Sequence, residues 1–180
     1  MTDRKSCRPI RSSAMETTPT TAKVVVRPML PEDGPAFVTL IDALADYENL
    51  DRPVPDAKAR LLADAFSERP RFEVRLAEVD GVIAGYAFFF MTYSSFLAKP
   101  LLYLEDVFVL SEHRGVGAGK ALFAACVSEA LARGCGRMEW RVLSWNEPAI
   151  GFYLRQGARY LSEWHLFRLD GEALAGAVHD

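Results

Sequence analysis

Apolar positions recur along the chain with two periods, and the changes of period mark out its elements. "AKVVVRPML", from Ala22, is a β-branched run closed by Pro28 and Pro31, and predicts a first strand. Phe37, Leu40, Ile41, Leu44 and Tyr47 then fall three and four apart, one face of a helix, with Glu32 and Asp33 at its start where they suit the helix dipole. Leu61, Leu62 and Phe66 mark a shorter helix from about Pro55 to Phe66. "RFEVRLAEVDGVIAGYAFFFMTY" reads as two strands joined at Asp80-Gly81, a pair suited to the positive dihedrals of a tight hairpin turn. "LLYLEDVFVL", Leu101 to Leu110, is a further strand.

The helical period returns in Leu122, Phe123, Cys126, Val127 and Ala130, predicting a helix from about Gly117 to Arg133 with Gly134 placed for its C-terminal cap. "RMEWRVL" sets Met138, Trp140 and Val142 against Arg137, Glu139 and Arg141, the alternation of a half-buried strand. Asn146 suits an N-cap, with Pro148 in the first turn of a short helix that carries Ile150, Phe152 and Tyr153 and stops at Gly157. A last strand is predicted from about Tyr160 to Leu169. The expected order is strand, two helices, three strands, helix, strand, helix, strand: an α/β chain.

Composition narrows this to one domain, since 180 residues, half of them hydrophobic, fill one core. Residues 1–22 stand apart as a polar extension with four basic and two acidic side chains and hardly a large apolar group, expected to be disordered, leaving 23–180 as the domain. With 21 basic against 24 acidic residues, no basic excess points to nucleic acid, and a charged substrate is favoured as a cation. Cys7, Cys126 and Cys135 show no CxxC spacing and no histidine partner, so neither a disulfide framework nor a metal site is indicated, and a cytoplasmic protein is expected. No apolar run approaches the roughly 18 residues of a membrane helix.

Chemistry concentrates in "EDVFVLSEHRGVGAGKAL", residues 105–122, where a strand breaks into a glycine-rich turn that opens a helix. The first amides of a helix lack partners within it, and the aligned peptide dipoles add positive charge there. Gly115, Gly117 and Gly119 remove side chains that would hold an anion off, and Arg114 and Lys120 supply counter-charge, so the turn suits a pyrophosphate. It is not a P-loop, which needs glycine and Ser/Thr where Arg114 and Ala121 stand. Nor is it the dinucleotide fingerprint, whose GxGxxG differs from the GxGxG spacing here.

"RGVGAG" resembles the Q/R-x-x-G-x-G/A signature of the GNAT superfamily of N-acetyltransferases. Together with "WNEPAIGFYLRQGA" and "RPMLPEDG…LADYE", the chain over residues 22–175 resembles the diamine branch, the spermidine/spermine and thialysine acetyltransferases. The resemblance implies a twisted mixed sheet flanked by helices and splayed around Glu105 and Arg141, with acetyl-coenzyme A in the gap. It implies pyrophosphate binding by Arg114, Gly115, Val116, Gly117, Ala118, Gly119 and Lys120, pantetheine binding by the backbone of Val107, Phe108 and Val109, and contact with the coenzyme arm by Asn146 and Tyr153. It implies no metal, and a homodimer.

Transfer of acetyl from a thioester to an amine needs a neutral amine and a proton for the departing thiolate. The resemblance gives Glu105 substrate binding and water-assisted deprotonation, Asp106 the attraction of a cation, and Tyr153 the donation of the proton. Tyr47 and Glu48 are implied as acceptor contacts, and Glu163 and Trp164 stand for part of a longer acidic segment in the spermidine/spermine enzymes. Residue by residue, each has a plainer reading: an exposed strand-end acid pair, a core tyrosine, an N-cap for Asn146. In a regular strand Asp106 would face away from Glu105 unless a bulge re-aims it. The acceptor expected is a small cationic amine; a protein amine, or an acyl-CoA sensor without chemistry, are the rivals.

Overall fold

A computed structural model describes residues 22–177. Its contacts group into two compact units, one ending at Trp140 and the other starting at Arg141. The first contains a five-stranded sheet of β1 (Val24–Pro28), β2 (Glu73–Val79), β3 (Val82–Ser94), β4 (Lys99–Val109) and β5 (Met138–Trp140), in that spatial order. Neighbours β1 to β4 are antiparallel, and β5 joins β4 in parallel. Helix α1 (Gly34–Glu48) follows a 3-10 turn at Pro31–Asp33, α2 (Pro55–Ala65) follows α1, and α3 (Ala118–Ala132) connects β4 to β5.

The period-two alternation of β2 and β3 assigns the two faces of the sheet. Val74, Leu76, Tyr86 and Phe88 pack with Phe37 and Leu40 of α1 and with Phe72, while Leu61 and Leu62 of α2 join the edge of the same cluster. On the opposite face Glu73 and Arg75 reach Arg133 and Glu129 of α3, and the Arg75 guanidinium lies 5.3 Å from the Phe89 ring. Mutual engagement gives this network geometric definition, although partly exposed ion pairs contribute only about 0–1 kcal/mol each.

The hairpin turn forms as expected, with positive φ at both Asp80 and Gly81. Gly134, at φ +66°, ends α3 with Cys135 N–H donating to Ala130 O. Asp33, at the N-cap of α1 where an acid was expected, has a further role. It is buried and accepts from Arg27 of β1 at 2.6 and 2.9 Å and from Leu30 N–H, so it ties the chain entering α1 to the sheet. The Arg27 guanidinium holds its carboxyl below the usual range.

The second unit carries α4 (Glu147–Arg155) and α5 (Gly171–Gly176). The strand predicted from Tyr160 to Leu169 does not form. The segment is irregular and largely exposed, with Trp164 75% and Phe167 89% accessible. Aromatic and aliphatic side chains make a segment able to be a strand, but a strand also needs an edge to pair with. Likewise "RMEWRVL" is a strand only over Met138–Trp140. The extension 1–22, with Cys7, lies outside the described residues but for its last position, Ala22.

Candidate active site

The end of β4 is set by a bulge. Phe89 pairs with Leu104 and Phe88 with Asp106, which leaves Glu105 as the extra residue. Counting by twos from Leu102 and Leu104 would put Asp106 and Phe108 on the α3 face. The inserted residue instead moves both to the α1 face, because a slip of one position exchanges the sides of every residue that follows. There Phe108 packs in the α1 cluster, and Asp106 accepts a hydrogen bond from the Tyr86 hydroxyl at 3.2 Å.

The same stretch of β4 loses its outer neighbour. The β4–β5 ladder ends at the pair Leu104–Trp140, while β4 continues through Val109 paired only with β3. Val107, Phe108 and Val109 therefore lie on a strand edge that no other strand of the sheet covers, the splay expected of this position. Trp140 itself packs edge-on against Phe123 of α3, with ring centroids 5.5 Å apart.

Beyond β4, the chain makes a 3-10 turn at Ser111–His113 and reaches α3 through Gly115 at φ +82° and Gly117 at φ +96°. Nothing lies within 4 Å of where a Cβ would stand on either glycine, so backbone conformation, not crowding, requires them. Gly117 caps α3 without a side chain, and the first turn holds no acidic residue, only exposed Lys120. Val116 is exposed at the loop's apex, whereas Ala118 is buried. The amides of Ala118, Gly119 and Lys120 thus have no side-chain cap, an arrangement fitted to an anionic ligand.

Arg114 is turned toward the protein. Its Nε donates to Val109 O at 2.8 Å, and its guanidinium lies 4.7 Å from the Tyr47 ring and 5.7 Å from that of Phe108. It therefore couples the glycine loop to the C-terminal end of α1, where Tyr47 is followed by Glu48. Burial pushes the Glu48 carboxyl up. Asp106 is pushed up to about 6, first by burial and then by the negative charges of Glu105 and Glu48, with the Tyr86 hydrogen bond opposing them. Three carboxylates within electrostatic reach of one another make a strongly cation-attracting end to β4.

Among the second unit's residues, Asn146 is buried and its side chain accepts from Ala149 N–H at 3.2 Å, capping α4 as its position predicted. Tyr153 is half-buried on α4, its ring edge-on to Phe152 at 5.2 Å. Glu163 and Trp164 are exposed in the irregular segment. Two residues were missed in the sequence: Gly85, which lets β3 and β4 approach, and Tyr86, whose hydroxyl holds Asp106. A tyrosine inside the apolar run "GYAFFF" was the available signal, because a buried phenol needs a polar partner.

Residues 38–158 match the acetyltransferase (GNAT) family, and the chain belongs to that family. It is an N-acetyltransferase. The thialysine N-epsilon-acetyltransferase of Sus scrofa is 34% identical over 164 residues, spanning 85% of this chain and 96% of that protein. The L-ornithine N5-acetyltransferase NATA1 of Arabidopsis thaliana is 47% identical over 95 residues, 53% of this chain and 42% of that protein. The fold is shared with a Vibrio cholerae integron cassette protein at a TM-score of 0.75 and 24% identity, over 87% of this chain and 98% of that one. Among the described residues no helix is long and apolar enough to cross a membrane, and no cluster of His, Cys, Asp or Glu could hold a metal ion.

The raised Asp106 carboxyl gives a stability prediction. A group whose folded pKa exceeds its unfolded value favours folding below the unfolded value, near 3.8, and loses that contribution as pH rises through about 6. Ionised Asp106 therefore costs the fold on the order of 2 kcal/mol at neutral pH. Asp106→Asn, which keeps an acceptor for Tyr86, is expected to raise the melting temperature at pH 7.5 by roughly 4–8 °C. In thermal melts the gain should shrink as the pH falls below 6.

Proposed function

We propose that this enzyme transfers an acetyl group from acetyl-coenzyme A to the primary amine of a small, doubly functional cation, a diamine or a thialysine- or ornithine-like amino acid, by direct transfer in a ternary complex. The observation that carries the reading is the end of β4. It presents Glu105 at a bulge beside Asp106, continues as an uncovered edge and runs into the glycine-capped start of α3. Acceptor chemistry and an anion site thus adjoin on one strand and its following turn. The acids suit a cation better than a protein N-terminus, and the names of the curated relatives, thialysine and ornithine acetyltransferases, agree.

In this reading the amides of the loop from Gly115 to Lys120 hold the pyrophosphate, and the edge of Val107–Val109 bonds the pantetheine. Acetyl-coenzyme A supplies the activated thioester. Glu105, through a water, takes a proton from the arriving ammonium. The freed nitrogen lone pair forms the C–N bond as the C–S bond breaks; Tyr153 gives its phenolic proton to the departing thiolate, and the second proton on the acylated nitrogen passes to solvent, which returns a proton to Tyr153 and leaves a neutral amide. An acyl-enzyme is disfavoured: Cys126 is fully buried and burial pushes its thiol up to about 12.

The reading carries residues 23–180 as a single acetyltransferase domain, in a cytoplasmic homodimer. The exposed apolar side chains of Tyr160, Trp164, Leu166, Phe167 and Leu169 offer surface for a second copy to cover.

The test is coenzyme A release from acetyl-coenzyme A with spermidine, spermine, putrescine, thialysine, ornithine, lysine and a basic peptide. Turnover is expected with a short diamine or a diamino acid. Turnover with the peptide alone would replace the acceptor, and cofactor binding without turnover on any of them would overturn the small-amine reading in favour of an acceptor outside this panel or a non-catalytic acyl-CoA sensor.

A further inference from the structure

Tyr86 sits in the middle of β3 with none of its surface exposed. Its ring is held by α1 and β4, edge-on to Phe37 at 5.3 Å and tilted against Phe108 at 6.4 Å. Phenylalanine would fill the same space without burying a polar atom. What distinguishes the tyrosine is the hydroxyl, and the hydroxyl donates to Asp106 Oδ2 at 3.2 Å. Burying a hydroxyl is tolerated when its hydrogen bond is made, and a bond to a charged acceptor is among the stronger ones.

The bulge explains why the pair meets. Tyr86 pairs with Phe108 in the β3–β4 register, and Asp106 shares the α1 face with Phe108 only because Glu105 is inserted before it. A freely rotating aspartate at a strand edge would sample several rotamers, whereas a carboxylate tethered by a donor rooted in the core has one oxygen fixed and the other available to a ligand. We propose that Tyr86 is a positioning residue of the acceptor site: its core-held hydroxyl fixes the Asp106 carboxylate so that it receives the acceptor's second cationic group, the one that keeps its charge while Glu105 acts on the reacting amine.

The inference rests on the reading of Asp106 as acceptor-binding. It also predicts a pH signature, because the groups around Asp106 oppose its ionisation: Glu48 from α1 and Glu105 on β4 are both acids. Tyr86, from β3, is the group that favours the charged form, and it stays a neutral donor because burial and the nearby acids push its phenol further up. The Arg114 guanidinium, after β4, lies over the rings of Tyr47 and Phe108 on the same side. Without the hydroxyl, Asp106 would take its proton at higher pH, and cation binding would be lost earlier on acidification.

The experiment compares Tyr86→Phe, Asp106→Asn and the double variant with thialysine, ornithine and putrescine as acceptors between pH 5.5 and 9. Tyr86→Phe is expected to raise the acceptor KM at pH 7 about tenfold, the scale of a lost hydrogen bond to a charge. It should move the acid limb of kcat/KM upward and leave the KM for acetyl-coenzyme A close to wild type, while the melting temperature falls by a few degrees because the buried carboxylate loses its donor. In the Asp106→Asn background the same change should add nothing. If Asp106→Asn raises the acceptor KM but Tyr86→Phe does not, the positioning role is wrong and the acceptor reading stands. Should Asp106→Asn leave the acceptor KM unchanged, or none of the three amines be acetylated, the acceptor reading falls and takes this inference with it. A Tyr86→Phe protein that loses stability and affinity for both substrates alike would assign the tyrosine to packing alone.

Discussion

Replacing Glu105 by glutamine is expected to lower kcat by about 10²- to 10⁴-fold at pH 7, the range for removing a positioned general base. An acceptor amine of lysine type holds its proton up to a pH of about 10, so at neutrality nearly every molecule arrives as ammonium. Glutamine preserves the size of the side chain at the bulge but cannot accept that proton. The deficit should therefore shrink as the pH is raised toward 10 and the free amine becomes abundant without help. A merely structural effect of the substitution would not be rescued in this way. Tyr153→Phe is expected to lower kcat as well, without rescue by high pH, because that side chain gives a proton rather than taking one. Steady-state kinetics from pH 6.5 to 10 with the acceptor identified by the release assay would decide it. Full turnover in the Glu105→Gln enzyme at pH 7 would remove Glu105 from the chemistry.

Gly85→Ala is expected to injure folding and catalysis together. A Cβ on Gly85 would stand 2.5 Å from the Phe108 carbonyl oxygen, 3.0 Å from Val109 Cγ2 and 3.1 Å from Val109 Cα. Two of those atoms are backbone, so β3 and β4 must separate, and overpacking of this kind costs about 1–3 kcal/mol. Gly85 also adjoins a second bulge, where Glu78 pairs with Ile83 and Ala77 with Gly85, and Ala84 O accepts from Leu110 N–H. The strain would fall on the stretch of β4 proposed to bond the pantetheine, and a displacement near 1 Å there can cost about 10²-fold in rate. The variant should melt several degrees below wild type and show a raised KM for acetyl-coenzyme A. Gly119→Ala is the folding control, since its Cβ would meet only Val109 Cγ2 at 3.8 Å, and alanine favours a helix. Wild-type stability in Gly85→Ala would mean that the close approach of the two strands is easily relaxed.

Much of this architecture was legible from local rules. The spacing of Phe37, Leu40 and Leu44 marked α1, the apolar face of Leu122, Phe123 and Cys126 marked α3, and Asp80-Gly81 marked the hairpin, because each depends on a few neighbouring residues. The glycine-capped helix start at Gly115–Lys120 was legible for the same reason: positive φ at glycine and a helix N-terminus without a side-chain cap are local properties. The strand expected at Tyr160–Leu169 failed because pairing is not local. Its aromatic and aliphatic side chains fit a strand, yet no sheet edge receives it within its unit, and nothing in the ten residues themselves reports that.

The sequence by itself determined the elements, the glycine-capped helix start and the presence of an acid pair at the end of a strand. Which face those acids occupy was decided only in the tertiary structure. Parity along β4 assigns Asp106 to the side of Leu104, and one unpaired residue at Glu105, visible only in the register against β3, reverses the assignment. The partner of Asp106 was equally hidden, since Tyr86 lies twenty residues earlier and meets it only once the strands have paired. Local preference is written in short stretches of chain, while register is a property of two strands together, and the chemistry of this site depends on the register.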